Sequence, residues 1–115
     1  MFVMTEVDLG AVASERLEAE LTTLAAHLHA GTCRFLLMVA EFDRRRLFES
    51  WECRSTAQWL TWKCSIAART AREHVRVARV LERLPAATAA TAAFGRGVLS
   101  YAKVRAMARV VGVVP

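Results

Sequence analysis

Five arginines in the second half of the chain share a spacing that places them on one face of a helix. They follow one another at intervals of three and four residues, which keeps them within about 80° of the helix circumference. They are Arg69, Arg72, Arg76, Arg79 and Arg83, called the arginine ridge below. Guanidinium groups make paired hydrogen bonds to phosphate oxygens and guanine edges, so the ridge predicts contact with nucleic acid. The alternative is an ordinary solvated face of a helical bundle.

The helix that carries the ridge is predicted from Ile66 to Leu84, with Ser65 as its N-cap and Pro85 ending it. Its other face is predicted to pack into the core through Ala67, Thr70, Ala71, His74, Ala78, Leu81 and Leu84. A shorter helix, from Thr56 to about Lys63 and capped by Ser55, precedes it. Two helices joined by a tight turn have the plan of a helix-turn-helix, although this turn contains no glycine.

The rest of the chain is also predicted to be helical. Further helices are expected over residues 11–48, 86–94 and 101–111. Gly31 either breaks the first of these or is tolerated inside it, Gly95 and Gly97 close the second, and Ser100 caps the third. No segment alternates apolar and polar residues with period two. The fold class predicted is all-α, a multi-helix bundle with a helix-turn-helix-like segment, in a single domain over residues 1–115.

Charge is distributed unevenly along the 115 residues. Residues 1–53 hold five arginines and nine acidic residues, a net charge of −4, whereas residues 54–115 hold eleven basic and two acidic residues, a net charge of +9. A basic half of this size attracts polyanions, and duplex DNA is the partner predicted here. The acidic N-terminal helix predicts a second partner, either another helix or the basic half of a second copy.

Cysteine and histidine placement gives no catalytic or metal site. Cys33, Cys53 and Cys64 form no C-x-x-C pair, and reduced thiols in a cytoplasmic protein are the simplest interpretation. His27 and His29 are two residues apart, so a helix points them in different directions. We therefore predict no catalytic residue, no cofactor and no metal. The N-terminus lacks a secretory pattern and the apolar runs are short, so no membrane partner is expected.

Three tryptophans lie close to the two-helix segment. Trp51, Trp59 and Trp62 are aromatic residues of the kind on which nucleobases stack. Tryptophans beside a helical core are more often part of that core, because the indole ring buries a large apolar area. The interpretation preferred from sequence is that all three belong to the core.

Two segments resemble a known family. They are WLTWKCSIAARTAREHVRVARVLERLP at 59–85 and FGRGVLSYAKVRAMARV at 94–110. Both, in this order and after a long helix ending F-D-R-R, closely resemble the actinobacterial 13E12 repeat family, also called domain of unknown function 222. From about Glu15 onward the chain is similar to the N-terminal region of that family.

The resemblance implies a link to DNA, because family members commonly continue into a C-terminal HNH endonuclease domain. This chain contains no asparagine, and its three histidines are not placed as in an HNH motif. The expectation is a non-catalytic, apparently truncated module that binds or positions DNA. The alternatives are a structural or protein-interaction module and a remnant without present activity.

Overall fold

The structure is a computed structural model that describes residues 8–84 and 89–113, with side chains as far as residue 110. Its five α-helices are α1 (Ser14–Arg44), α2 (Thr56–Cys64), α3 (Ala68–Arg83), α4 (Ala89–Gly95) and α5 (Tyr101–Val113). Short 3-10 turns lie at Leu9–Ala11 and Leu47–Trp51. No described residue is in a strand, and the all-α multi-helix bundle is confirmed. Pro85 and the start of the helix predicted over 86–94 lie outside the described residues.

The first long helix is unbroken but shorter than predicted. It runs through Gly31, where an added Cβ would meet nothing within 4 Å, so the glycine is tolerated on an open surface. The helix ends at Arg44 because Arg46 takes a left-handed conformation, with φ of 54°. The prediction that it continues to Phe48 is wrong, and Phe48 lies in the following 3-10 turn.

The junction between α2 and α3 is confirmed in position and corrected in detail. The Oγ of Ser55 caps α2 by accepting a hydrogen bond from the Gln58 N–H at 3.1 Å. The break predicted between Lys63 and Ile66 is the turn at residues 65–67. Ser65 is not the N-cap of α3, however, because it ends α2 in a left-handed conformation with its N–H bonded to the Leu60 carbonyl. The N-cap of α3 is Ala67, which makes no side-chain cap.

Helix α3 lies at the centre of the bundle and is buried on more sides than its sequence predicts. Ala71, Ala78 and Leu81 are buried as expected, whereas Ala67 and Thr70 are exposed. Three further side chains of α3 are buried although the sequence did not predict it. They are Val75, Val77 and Val80. The core partners from the other helices include Leu36, Leu60, Phe94, Val104 and Ala108. The arginine ridge is therefore the main strip of α3 that reaches solvent.

Helix α5 is fixed against α3 and α1 at its first turn. The Oγ of Ser100 accepts a hydrogen bond from the Lys103 N–H at 3.2 Å, which confirms the predicted cap. The Tyr101 hydroxyl lies 3.2 Å from Nδ1 of His74, and burial lowers the pKa of this imidazole. Gly97, with φ of 79°, brings the preceding loop so close to α1 that an added Cβ would lie 2.2 Å from the Ala26 carbonyl oxygen. This packing sets which face of α5 points toward the ridge.

Candidate nucleic-acid interface

Four of the five ridge arginines line one open groove of about 900 Å³. They are Arg72, Arg76, Arg79 and Arg83. A fifth guanidinium comes from Arg109 on α5, and the first turn of α2 forms another part of the wall. We call this feature the arginine groove. It brings together cations from α3 and α5, and Arg109 is at least 26 residues from each of the others in the chain.

The N-terminus of α2 adds to the positive potential of the arginine groove. Ser55, Thr56 and Ala57 all line it. The first N–H groups of a helix have no acceptor within the helix, and the helix dipole places partial positive charge at this end. The Oγ of Ser55 already accepts from the Gln58 N–H, and the two residues before Gln58, Thr56 and Ala57, line the groove. The guanidinium groups and this helix end both favour an anionic occupant.

Arg69, the remaining ridge residue, lines a smaller neighbouring groove of about 360 Å³. Thr70, Tyr101 and Arg105 line the same groove. Glu73 and Arg109 border both grooves, so the two form a continuous basic surface across α3 and α5. The ridge predicted on one helix is thus part of a two-helix surface.

Arg76 is paired within its own helix. Its Nη2 lies 2.7 Å from Oε2 of Glu73, one turn earlier, and the hydrogen bonds from Arg76 hold the pKa of Glu73 below its usual value. Arg105 and Arg109 lower this pKa further by their charge. Glu73 is therefore ionised at neutral pH and offsets part of the positive charge at the middle of the groove.

Arg79 is paired with another helix. Its guanidinium donates hydrogen bonds of 2.8 and 3.2 Å to the carboxylate of Asp43 on α1, which also accepts one of 2.7 Å from the Thr56 hydroxyl. The hydrogen bonds from Arg79 and then Thr56 lower the pKa of Asp43. Asp43 thus links α1 to α3 through Arg79 and to α2 through Thr56. The other ridge arginines, Arg69, Arg72 and Arg83, make no ion pair with any residue that the structure describes.

The chain was compared with protein-family models, with curated proteins and with solved structures, and none of them matches. The resemblance to the 13E12 family therefore stays a prediction.

Arg105 and Arg109 were not identified as site residues from sequence. They are four residues apart, directly after the buried residues Val104 and Ala108, so they lie at the edge of the packed face of α5. The spacing of four was a visible signal. This spacing could not predict how α5 is oriented in the bundle, because the contact between His74 and Tyr101 sets that orientation.

The tryptophans divide between core and surface, which corrects the prediction that all three are core. Trp59 is half-buried, with its ring centroid 4.3 Å from that of Phe42. Trp51 and Trp62 are instead 48% and 57% exposed, and their centroids are 5.7 Å apart. The Nζ of Lys63 lies 4.6 Å from the Trp51 ring and 5.0 Å from the Trp62 ring. These two rings and the ammonium group form an exposed cluster.

A further basic cluster, at the end of α1, is neutralised locally. Arg44 and Arg45 both donate hydrogen bonds to Glu41, which lowers the pKa of that carboxyl to about 2. Arg46 pairs with Glu49 at 2.8 Å. These arginines have carboxylate partners of their own and do not extend the arginine groove.

Histidine and cysteine side chains are scattered over the fold. His27 is exposed and His29 half-buried, on a continuous helix. Cys33 is buried, and burial raises the pKa of its thiol. Within residues 8–84 and 89–110 no three histidine, cysteine or acidic side chains are grouped so as to hold a metal ion. No helix in the described part of the chain has the length and apolar character needed to cross a bilayer.

Proposed function

We propose that this chain is a non-catalytic helical module that binds the phosphate backbone of duplex DNA in the arginine groove. The observation that carries the proposal is the convergence of five guanidinium groups and the N-terminus of α2 on one open groove. Guanidinium groups and helix N-termini are both favoured partners of phosphate oxygens. The sequence resemblance to a region found upstream of HNH endonuclease domains supports the same kind of partner.

Contact with the phosphate backbone is favoured over reading of bases. A recognition helix must enter the major groove, which is about 12 Å wide. Its side chains therefore have to project beyond the adjacent elements of the protein. Here the exposed strip of α3 lies between the first turn of α2 and Arg109 of α5, and both line the same groove as the arginines. A phosphate chain fits between such walls more easily than the edge of a base pair. We therefore expect weak sequence preference.

The chemistry of the groove favours binding rather than catalysis. Arginine stays protonated at neutral pH and has no acceptor atom, so it cannot serve as a general base. The carboxylates beside the ridge include Glu73 and Asp43, and the hydrogen bonds that each accepts from an arginine lower its pKa, which makes it a weak base. The guanidinium groups of the arginine groove are therefore suited to binding and positioning anions.

The test is charge reversal inside the groove against an equal reversal outside it. Arg72→Glu with Arg109→Glu changes two cations of the groove, while Arg34→Glu with Arg96→Glu changes two exposed arginines that do not line it. Both variants alter the net charge equally. Fluorescence anisotropy with a labelled duplex at low salt should show a loss of at least about ten-fold for the groove variant only. Equal losses would mean that the duplex responds to total charge, and unchanged binding would exclude the groove.

A second candidate function, self-association, rests on α1. Every residue from Ser14 to Ala25 is exposed, and four leucines in and beyond this segment follow at intervals of four, three and four. They are Leu17, Leu21, Leu24 and Leu28, each at least 36% exposed. This spacing is that of a two-helix seam, so the occupant proposed is α1 of a second copy. An antiparallel arrangement keeps the acidic ends of the two helices, which carry Glu15, Glu18 and Glu20, apart.

Sedimentation analysis over a range of concentrations tests this second candidate. Leu21→Glu with Leu24→Glu should convert a reversible dimer to monomer, while Val98→Glu, at an exposed apolar residue outside the seam, should not. In a variant with Cys64→Ser, the pair Leu17→Cys and Leu28→Cys should cross-link the antiparallel dimer, and Leu17→Cys alone should not. A wild-type chain that stays monomeric, or cross-linking by Leu17→Cys alone, would contradict the proposed pairing.

A further inference from the structure

A second groove continues the arginine groove along α2. It has a volume of about 330 Å³ and shares Ser55, Ala57 and Arg72 with the arginine groove. Its other lining residues are Gln58, Thr61, Trp62 and Ala68. We call it the tryptophan groove. Arg72 lines both grooves, so the surface that carries the arginines continues past Arg72 to Trp62.

Trp62 is exposed and yet held in place. More than half of its surface is open to solvent, although an indole ring gains by burial. Trp51 packs against it at an angle of 59° between the rings, and the Lys63 ammonium lies near both rings. A large aromatic surface that is open to solvent and supported by neighbours is suited to stacking with another flat ring. A nearby cation strengthens binding when that ring belongs to an anionic polymer.

We propose that the tryptophan groove binds an unpaired nucleobase, stacked on Trp62, of a DNA strand whose phosphates lie in the arginine groove. The inference rests on the proposed function, because the arginines supply the binding of the backbone. Bases inside a duplex are stacked on one another, so the Trp62 ring reaches only a base that has left the stack or lies beyond the duplex end. The preferred partner is thus a duplex with a single-stranded tail, rather than a blunt duplex.

The chemistry of the groove fits a base of any sequence. Every nucleobase has a flat π face, so stacking tolerates sequence. Gln58 and Thr61 line the same groove as Trp62. The amide oxygen of Gln58 accepts a hydrogen bond from the Arg54 N–H, so the Gln58 amide nitrogen and the Thr61 hydroxyl are the groups for the polar edge of the base. The distribution of charge agrees with this proposal. Cations line the arginine groove, where the phosphates would lie, and an aromatic ring lies in the groove that continues it.

The experiment compares one labelled duplex in blunt form and with a single-stranded thymidine tail, placed on either the 5′ or the 3′ side. We expect the wild-type chain to bind one tailed form about ten-fold more tightly than the blunt form, the gain typical of one stacked base. Trp62→Ala should remove this gain and leave the affinity for blunt duplex unchanged. Val98→Ala, at an exposed apolar residue away from the groove, should behave as wild type.

Intrinsic tryptophan fluorescence gives a second measurement. The single-stranded tail should quench it in the wild type and in Trp51→Phe, but less in Trp62→Phe.

The outcomes separate the stacking site from the function on which it rests. Salt-dependent binding of both duplexes with no gain from either tail would overturn the stacking site and leave the arginine groove in place. A gain from the tail that persists in Trp62→Ala would place the stacking elsewhere and overturn this site too. If neither duplex binds at low salt, the proposed function fails and the stacking site fails with it.

Discussion

The carboxylate of Asp43 and the guanidinium of Arg79 form a two-point ion pair, with distances of 2.8 and 3.2 Å, across 36 residues of sequence. Asp43 is only 15% exposed, so its charge depends on this partner and on the Thr56 hydroxyl. The pair joins α1 to α3, and Thr56 adds α2. One member of the ridge therefore stabilises the fold that positions the other members.

Arg79 should matter more for stability than Arg83, although both lie on the ridge. Arg79→Ala leaves the largely buried Asp43 with the Thr56 hydroxyl as its hydrogen-bond donor, and we expect the free energy of unfolding to fall by about 1–2 kcal/mol. Arg83→Ala should change it by no more than about 0.5 kcal/mol, because Arg83 is exposed and unpaired among the described residues. Urea unfolding of the two variants measures the difference. Equal losses would show that the ion pair contributes nothing.

Acid should weaken the fold partly through Asp43. Its pKa is lowered in the folded state, mainly by Arg79, so the unfolded chain takes up this proton first as the pH falls. The stability that it contributes is present above the ordinary pKa, near 4, and is lost as the pH falls through the lowered folded value. The stability difference between wild type and Asp43→Asn should therefore shrink from pH 7 to pH 3. A difference independent of pH would mean that the carboxylate charge is not what stabilises the contact.

Truncation of Leu81 should lower the free energy of unfolding far more than truncation of an exposed leucine. It is 5% exposed and borders a small apolar cavity of about 40 Å³ between α3 and α5. Leu81→Ala enlarges that cavity and should cost roughly 2–5 kcal/mol in denaturant unfolding. Leu21→Ala, on the open part of α1, is the matched control and should cost no more than about 0.5 kcal/mol in the monomer. Similar losses of stability for both variants would mean that the buried and exposed faces of α1 and α3 are assigned wrongly.

Glu73 should weaken the binding of DNA. It neutralises Arg76 and lies near Arg105 and Arg109, so Glu73→Gln frees one cation and removes one repulsive charge. We expect affinity for duplex DNA at low salt to rise about three- to ten-fold, with one more phosphate contact in the salt dependence. Glu82→Gln removes an equal charge from α3 outside the arginine groove and is the control. Weaker binding by Glu73→Gln would show that Glu73 holds Arg76 in its binding position.

The helices and the ridge were predictable because periodicity along one helix directly determines which residues share a face. The spacing of Arg69 to Arg83 is such a pattern, and the caps at Ser55 and Ser100 are local signals of the same kind. Ser65 was misassigned because serine is common both at helix starts and in turns. Only the geometry of the backbone, with its left-handed conformation there, distinguishes the two.

The parts of the site that depend on packing between helices were not predictable. Arg109 belongs to the arginine groove only because α5 packs beside α3, and Asp43 meets Arg79 only because α1 crosses α3. The exposure of Trp62 has the same origin, since no periodicity reveals that a neighbouring element fails to cover a tryptophan. Charge and residue type suggested the class of ligand, and tertiary packing determines where that ligand would bind.

The salt dependence of binding to a blunt duplex tests the central claim most directly. Each phosphate neutralised contributes about −0.9 to the slope of log K against log salt concentration, so three to five arginine contacts predict a slope of roughly −3 to −4.5. Arg72→Ala removes a ridge arginine that has no ion pair among the described residues. It should reduce the magnitude of the slope by about one, to the same extent on duplexes of unrelated sequence. A slope near zero, a slope unchanged by Arg72→Ala, or strong binding to only one sequence would contradict the account of a groove that tracks the phosphate backbone.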